Sequence, residues 1–315
     1  MADVIKQATR DSYGIALCEL GSEIENMYVL DADLAGATKT GEFKKKFPER
    51  HINCGIAEQN MMGIAAGLAT TGSLVFASSF AVFAAGRVYE QIRNSICYPN
   101  LNVKIGATHG GISVGEDGAS HQMNEDFALM RALPNMTVIC PADGAEAIAA
   151  TKAAARMQGP VYLRYGRLAI PVMFDKDYDF QIGKGVVLRE GTDVTIIACG
   201  LMVERALAAA DQLAAEGINA RVINMATIKP IDRELVIESA KATGAIVTAE
   251  EHSIIGGLGG AVAEVLAETV PVPVMRVGVE DKFGKSGPAV ELLDMFGLNA
   301  ENIVAKAKAA IALKK

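Results

Sequence analysis

The sequence is short of the features that make several functions easy to read. Its five cysteines, Cys18, Cys54, Cys97, Cys140 and Cys199, are odd in number and form no Cys-x-x-Cys pair. That excludes a disulfide framework and a paired-cysteine metal site. Each cysteine lies in an apolar segment, as a small core hydrophobe in a reducing compartment does. No uninterrupted apolar run reaches the roughly eighteen residues that a spanning helix needs. The N-terminal Met-Ala-Asp-Val-Ile-Lys-Gln-Ala-Thr-Arg has no signal-peptide hydrophobic core. Neither sign of charge dominates: 30 basic against 37 acidic residues are interspersed, for a net charge of −7. This argues against a nucleic-acid or anionic-membrane surface. Basic clusters at Lys44–Lys46 and Lys314–Lys315 read as a solvated helix end and a tail. No tandem repeat or low-complexity stretch occurs. The expectation is a cytoplasmic protein.

What the chain does have is apolar content, 50% of its 315 residues, enough for two domains. Short β-rich runs alternate with Ala-rich helical runs. Strands are expected at Met27–Asp31, Leu74–Ser78, Asn102–Thr108, Thr137–Cys140 and Val161–Arg164. Helices are expected between them, at Ser12–Glu23, Ala57–Thr70, Ala81–Cys97, Asn124–Ala132 and Gly144–Met157. A stretch rich in Pro, Asp and Lys then reads as a linker. Alternation resumes with strands at Val194–Ala198, Ala220–Asn224, Ala245–Ala249 and Val274–Val277. Helices there are expected at Met202–Glu216, Arg233–Thr243, Leu258–Thr269 and Ala300–Leu313. The pattern predicts an α/β protein of two units, 1–170 and 186–315, joined by 171–185. Each unit is a mostly parallel sheet with helices on both faces.

In such sheets ligands sit beyond the carboxyl ends of the strands; of three polar segments, two follow expected strands, as Arg164 closes another, and one, at a helix start after a short segment, is compatible. The first is Asn53–Asn60, Asn-Cys-Gly-Ile-Ala-Glu-Gln-Asn, where Glu58 is a lone acid opening an apolar helix. A buried carboxylate without a partner is expensive, so Glu58 is neutral, paired or functional, or simply complements the helix dipole. The second is Ser78–Phe83, read as opening a helix on which Phe80 and Phe83 share a face. Such a pair is either core packing or a surface for a planar heterocycle. The third is the loop Thr108–Gln122, with four glycines, His109 and His121, and the adjacent acids Glu116 and Asp117. Glycines allow close approach of a ligand, the histidines can bind phosphate or move protons, and Asp117 can accept from hydroxyls. The alternative is a surface loop with satisfied side chains. The histidine spacing is poor for zinc.

Arg164 ends an apolar strand and needs an anion, either an acid of its own domain or a substrate phosphate. Arg10 is a weaker case of the same kind. Gly256–Gly260 opens a helix but lacks the Gly-x-Gly-x-x-Gly spacing. Helix–strand packing, with an anion at the helix start, is the better reading.

Together these segments resemble the C-terminal half of a transketolase. The resemblance rests on Gly-Ile-Ala-Glu-Gln-Asn followed by Ala-Ala-Gly-Leu, on Phe80 and Phe83, and on Thr-His-x-x-Ile-x-x-Gly-Glu-Asp-Gly-x-x-His-Gln at 108–122. It extends to Pro-Ala-Asp at 141–143, to Arg164 and to Glu-Glu-His-Ser-Ile-Ile-Gly-Gly-Leu-Gly at 250–259. It implies a pyrimidine-binding domain followed by a C-terminal transketolase domain, and thiamine diphosphate as cofactor. Glu58 would bond the pyrimidine ring nitrogen and favour the imino tautomer that deprotonates the thiazolium carbon. Phe83 would stack on the ring, with Phe80 beside it. Asp117 and His121 would hold sugar hydroxyls, with His121 and Glu58 as the catalytic pair. His109, Arg164 and Arg10 would grip the sugar's terminal phosphate.

Two departures stand out. Where the family places a phosphate-binding Ser after Asp-Leu-x-Pro, this chain has Ala37, with Thr38 next to it. The Gly-Asp-Gly and later Asn that bind the diphosphate and Mg²⁺ in the family are absent. The resemblance therefore implies a split enzyme, in which a partner chain carries the diphosphate domain and Mg²⁺ and the assembly is α2β2. Two related readings share the motifs, half of a 1-deoxyxylulose-5-phosphate synthase and the β subunit of a 2-oxo acid dehydrogenase. A reading of another class is a non-catalytic regulatory protein on the same fold.

Overall fold

The computed structural model describes residues 5–314. Eight strands belong to the first part of the chain: β1 (Lys6–Ala8), β2 (Met27–Asp31), β3 (His51–Asn53), β4 (Leu74–Phe80), β5 (Val103–Thr108), β6 (Thr137–Ile139), β7 (Val161–Tyr165) and β8 (Ala169–Pro171). Six follow: β9 (Val186–Arg189), β10 (Val194–Ala198), β11 (Ala220–Asn224), β12 (Thr227–Lys229), β13 (Ile246–Ser253) and β14 (Val274–Val279). Seven form one sheet in the order β12-β6-β7-β5-β4-β2-β3, and five form a second, β14-β13-β10-β11-β9. Neighbours run parallel except at the edges, where β12 on β6 and β9 on β11 are antiparallel. β1 and β8 make a separate antiparallel pair. This is the expected α/β architecture, two mostly parallel sheets flanked by helices.

Side-chain alternation along the strands explains the layering. Val29, Phe76, Ile139, Val161 and Leu163 face one way, onto Tyr13, Leu17 and Leu20 of the helix Thr9–Glu23 and the alanines of the helix Gly144–Arg156. Leu30, Val75, Ala77 and Ile105 face the other way, onto Met61, Met62 and Ala65 of the helix Glu58–Thr70. That second core does not stop at the domain boundary. It takes in Ile197, Cys199, Ile223, Met225 and Ile228 of the second unit. In β10, Ile196 and Ala198 turn instead to a third core beneath the helices Met202–Ala215 and Ala300–Ala312.

The units are thus interlocked. β12 comes from the second unit yet completes the first sheet. Across the seam, Asn224 Nδ2 donates to Glu146 Oε1 at 2.7 Å, and the Ser253 amide donates to Asn124 O at 2.7 Å.

Two expectations are corrected. The helix expected over Ala81–Cys97 is three pieces: wide π-type turns at Val82–Arg87 and Ile92–Cys97 flank a short α turn. Val88 interrupts it with φ −118° and ψ 15°. Phe80 is the last residue of β4, not part of a helix, so Phe80 and Phe83 do not meet through helical spacing.

The Gly256–Gly260 segment has a clear internal purpose. Glu250, wholly buried on β13, accepts from the amides of Leu258 at 2.7 Å and Gly259 at 2.8 Å. The anion at this helix start is a side chain of the protein. A Cβ on Gly257 would collide with Glu250 Oε2, so only glycine fits there. Burial pushes the Glu250 carboxyl up, and His252 with the two amides pulls it back. We expect Glu250→Ala to strand both amides and lower the unfolding free energy by about 1–3 kcal/mol, read from the urea midpoint. An unchanged midpoint would remove this anchor from the account.

Candidate active site

Glu58, Phe80, Phe83, His121, His109 and Arg10 come together as one continuous set of contacts at the carboxyl edge of the first sheet. Glu58 is the first residue of its helix and only 3% exposed. Both its carboxylate oxygens accept from Arg87 Nη1, at 3.0 and 2.9 Å. The Arg87 guanidinium carbon lies 4.3 Å from the centre of the Phe83 ring. Phe83 and Phe80 are near-parallel, with centroids 6.3 Å apart. His121 stands edge-on to both rings, at 5.4 Å from Phe83 and 6.3 Å from Phe80. Phe80 stacks in turn on His109 at 3.9 Å.

His109 follows the last residue of β5 with φ +58°, a left-handed conformation uncommon for a side-chain-bearing residue. The turn sets its ring on Phe80. Its Nε2 is 2.8 Å from Arg10 Nη1 and its Nδ1 is 2.8 Å from Thr108 Oγ1. Arginine only donates, so Nε2 accepts and the ring proton sits on Nδ1. Burial, then Arg10 and Arg167, bring the imidazole down to about 3. His109 is therefore a neutral acceptor that orients Arg10.

Two arginines exchange places relative to expectation. Arg164 is a correction: it does not reach the site. It is buried, its Nε is 3.2 Å from Asp126 Oδ2, and it donates to Glu251 O at 2.8 Å and Met123 O at 3.2 Å. Of its two readings, the ion pair within its own domain holds, and burial of the side chain keeps it from a phosphate at the site. Burial alone would lower it, but Asp126 and Glu251 more than offset that. Arg167, three residues on and past the strand end, is the arginine beside the loop. It pairs with Glu116 at 3.3 Å and Asp117 at 3.9 Å and donates to Val114 O at 2.6 Å. Asp117 is 44% exposed and reaches the cluster through this arginine.

Arg10 also donates to Ala37 O at 3.3 Å, so the backbone meets this arginine where the family's Ser would stand. Thr38 does not replace that Ser. It is buried and bonds Leu34 O at 2.9 Å and Thr40 Oγ1 at 3.0 Å.

Sequence reasoning missed Arg87 and Arg167. Arg167 had a signal in Arg-Tyr-Gly-Arg: Gly166 separates the arginine inside the strand from the one beyond it. Arg87 had only its place after Ala-Ala-Gly.

Fold and cluster define a class first: a doubly wound α/β protein whose polar site lies beyond the carboxyl ends of a parallel sheet. Residues 5–172 match the family described as transketolase, pyrimidine binding domain, and 183–303 match transketolase, C-terminal domain. A protein of Methanocaldococcus jannaschii named "Putative transketolase C-terminal section" is 53% identical over 302 residues, 95% of each chain. The 6-deoxy-6-sulfo-D-fructose transketolase subunit SqwH of Clostridium sp. (strain MSTE9) is 45% identical over 94% of this chain and 92% of its own. A solved structure described as a split gene transketolase, inactive beta4 tetramer, superposes with a TM-score of 0.90 at 58% identity, covering 98% of this chain and 99% of that one. The chain belongs to the transketolase family.

Two outcomes follow from this geometry. Arg164→Met leaves Asp126 buried without its cation and should cost about 3–5 kcal/mol of stability, whereas Arg167→Ala should stay within about 0.5 kcal/mol. Equal effects in urea unfolding would undo the distinction. For His109, the native ring takes a proton only near pH 3, while the unfolded one takes it near its ordinary value of 6.5. Between those limits the unfolded chain binds more protons, so stability falls as pH drops. His109→Asn should flatten that part of the stability–pH curve; an unaltered slope would show that the ring is not held neutral.

Proposed function

We propose that this chain is the C-terminal subunit of a split, thiamine diphosphate-dependent transketolase that moves a two-carbon ketol unit between sugar phosphates. Residues 1–170 are its pyrimidine-binding domain and 186–315 its C-terminal domain, with 171–185 between them. The observation that carries this reading is the buried Glu58 carboxylate joined through Arg87 to the Phe83 ring, in contact sequence with two histidines and a cationic mouth. A shielded carboxylate facing a planar stacking surface suits an aminopyrimidine, so the residues present fit that part of the cofactor. When bound, thiamine diphosphate supplies the nucleophilic carbon that takes up the two-carbon unit.

The chain's own residues do the rest. Glu58, itself buried, would hold the ring nitrogen through a shared proton, and Phe83 and Phe80 would hold the ring plane. His121 spends Nδ1 on Ser120 Oγ, 3.0 Å away, and offers Nε2 to sugar hydroxyls together with Asp117. Arg10, oriented by His109, holds the terminal phosphate. Arg167 joins it in the role expected of Arg164, since the two lie close enough for Arg167 to act electrostatically on Arg10. A partner chain, in an α2β2 assembly, brings the diphosphate and Mg²⁺ site. The subunit and C-terminal-section relatives support that division, as does the solved beta4 tetramer's description as inactive. The relative acting on 6-deoxy-6-sulfo-D-fructose leaves open which ketose is the donor.

The test is reconstitution with a chain from the neighbouring reading frame that carries Gly-Asp-Gly. Ketol transfer should need both chains, thiamine diphosphate and Mg²⁺. Glu58→Gln should lower kcat by about 10²–10⁴-fold, the range of a lost acid–base group. Full activity of this chain alone, or of the Glu58 variant in the mixture, would refute the proposal. Release of CO₂ from pyruvate would favour the synthase or dehydrogenase readings.

A further inference from the structure

Arg87 belongs to no role assigned so far, yet it engages both groups assigned to the pyrimidine. One nitrogen donates to both oxygens of Glu58, and the guanidinium plane's carbon sits 4.3 Å from the centre of the Phe83 ring. A guanidinium and an aminopyrimidine share the relevant chemistry. Both are flat and both stack on an aromatic face, and the pyrimidine, once its ring nitrogen shares a proton with Glu58, sets an N–H against the carboxylate as the guanidinium does. Glu58 is 3% exposed, so without some donor it would be a buried charge with no partner. The Arg87 side chain is 48% exposed, so it can leave for water at small desolvation cost.

The backbone permits the exchange. Arg87 closes the wide turn Val82–Arg87, and Val88 after it is not helical. Such wide turns break the regular ladder and recur at functional sites. Its carbonyl is tied to the site's own helix through Gln59 Nε2 at 3.3 Å. The main chain is thus held while the side chain is free to turn.

We propose that Arg87 is a stand-in for the pyrimidine: in the subunit without cofactor its guanidinium occupies the place between Glu58 and Phe83, keeps Glu58 paired, and is displaced when the ring arrives. This rests on the cofactor reading of Glu58 and Phe83. It makes the arginine a competitor of the ring, the opposite of a residue that positions Glu58 for it.

The experiment uses the purified full chain and a neutral probe, 4-amino-5-hydroxymethyl-2-methylpyrimidine, followed by calorimetry and by NMR of the phenylalanine rings. Arg87→Ala and Arg87→Met should each bind the probe about tenfold more tightly than the unaltered chain. In the unaltered chain, the Arg87 side-chain N–H signal, assigned by its loss in Arg87→Lys, should change on saturation with probe. That arm stands even if a substituted chain fails to fold. Equal or weaker binding by both variants, no binding by any chain at millimolar probe, or an Arg87 signal indifferent to bound probe would overturn the stand-in. The cofactor reading fails separately. If Arg87→Ala tightens binding and adding Glu58→Gln leaves the gain intact, the place is vacated as proposed but Glu58 is not the ring's partner. If binding depends on Glu58 and ignores Arg87, the cofactor reading survives and the stand-in does not.

Discussion

The buried ion pair between Arg164 and Asp126 is the interaction on which the site's geometry depends. A guanidinium taken out of water needs its partners within the protein, and Arg164 finds them by joining three pieces of chain. It meets Asp126 in its own unit, the carbonyl of Met123 just past the loop Thr108–Gln122, and the carbonyl of Glu251 on β13 of the second unit. Glu251 then uses its carboxylate to accept from the Ser113 amide at 2.6 Å, inside the same loop. Tyr162 donates to Asp126 at 2.8 Å and closes the network. Each member is costly to bury alone, so the members fix one another. A glycine-rich loop that would otherwise sample many conformations is held at both ends.

That network also changes what the second unit does. The second unit does more than cover the first. Its residues in fact shape the loop directly. Gln122, next to His121, donates to Lys285 O at 2.8 Å, and a Cβ on Gly118 would collide with Ser286 Oγ. The Glu-Glu-His run on β13 divides this labour by strand alternation: Glu250 anchors a helix start, Glu251 faces the loop, and His252 stacks on Phe127 at 4.8 Å. All three are buried because alternation sends Glu251 to one face and sets Glu250 and His252 together on the other, 3.6 Å apart.

The fold was largely legible because its strands are short, nearly continuous apolar runs set between Ala-rich helical ones, as a sheet covered on both faces requires. Met27–Asp31, Val194–Ala198 and Ala220–Asn224 have the expected bounds. What escaped was set by tertiary context. Nothing in Ala81–Cys97 distinguishes wide turns from a regular helix, because both keep apolar residues on one side. β12 is three residues long and acquires strand geometry only by pairing with β6. Glu58, the phenylalanines and the loop histidines stand out in the sequence because acids, rings and imidazoles gathered at strand ends seldom serve packing alone. Arg164 was misassigned because a charged residue ending an apolar strand looks the same whether its anion is a substrate or a neighbour. Only the placement of Asp126 decides, and Asp126 lies 38 positions away in sequence.

Net charge is a poor guide to the site for a related reason. The chain is acidic overall, yet Arg10, Arg167 and Lys39 all bear on His109, and their combined field helps keep that ring uncharged. Fields from partly shielded groups act over a few ångströms and are little diluted by acids elsewhere on the surface. A neutral His109 is useful in such company. A protonated ring would repel Arg10 and would no longer offer it the acceptor that orients it. The arginines and the neutral histidine are therefore one device: charge is concentrated on the arginines, whose protons cannot be lost, and the imidazole is left to set the direction of Arg10.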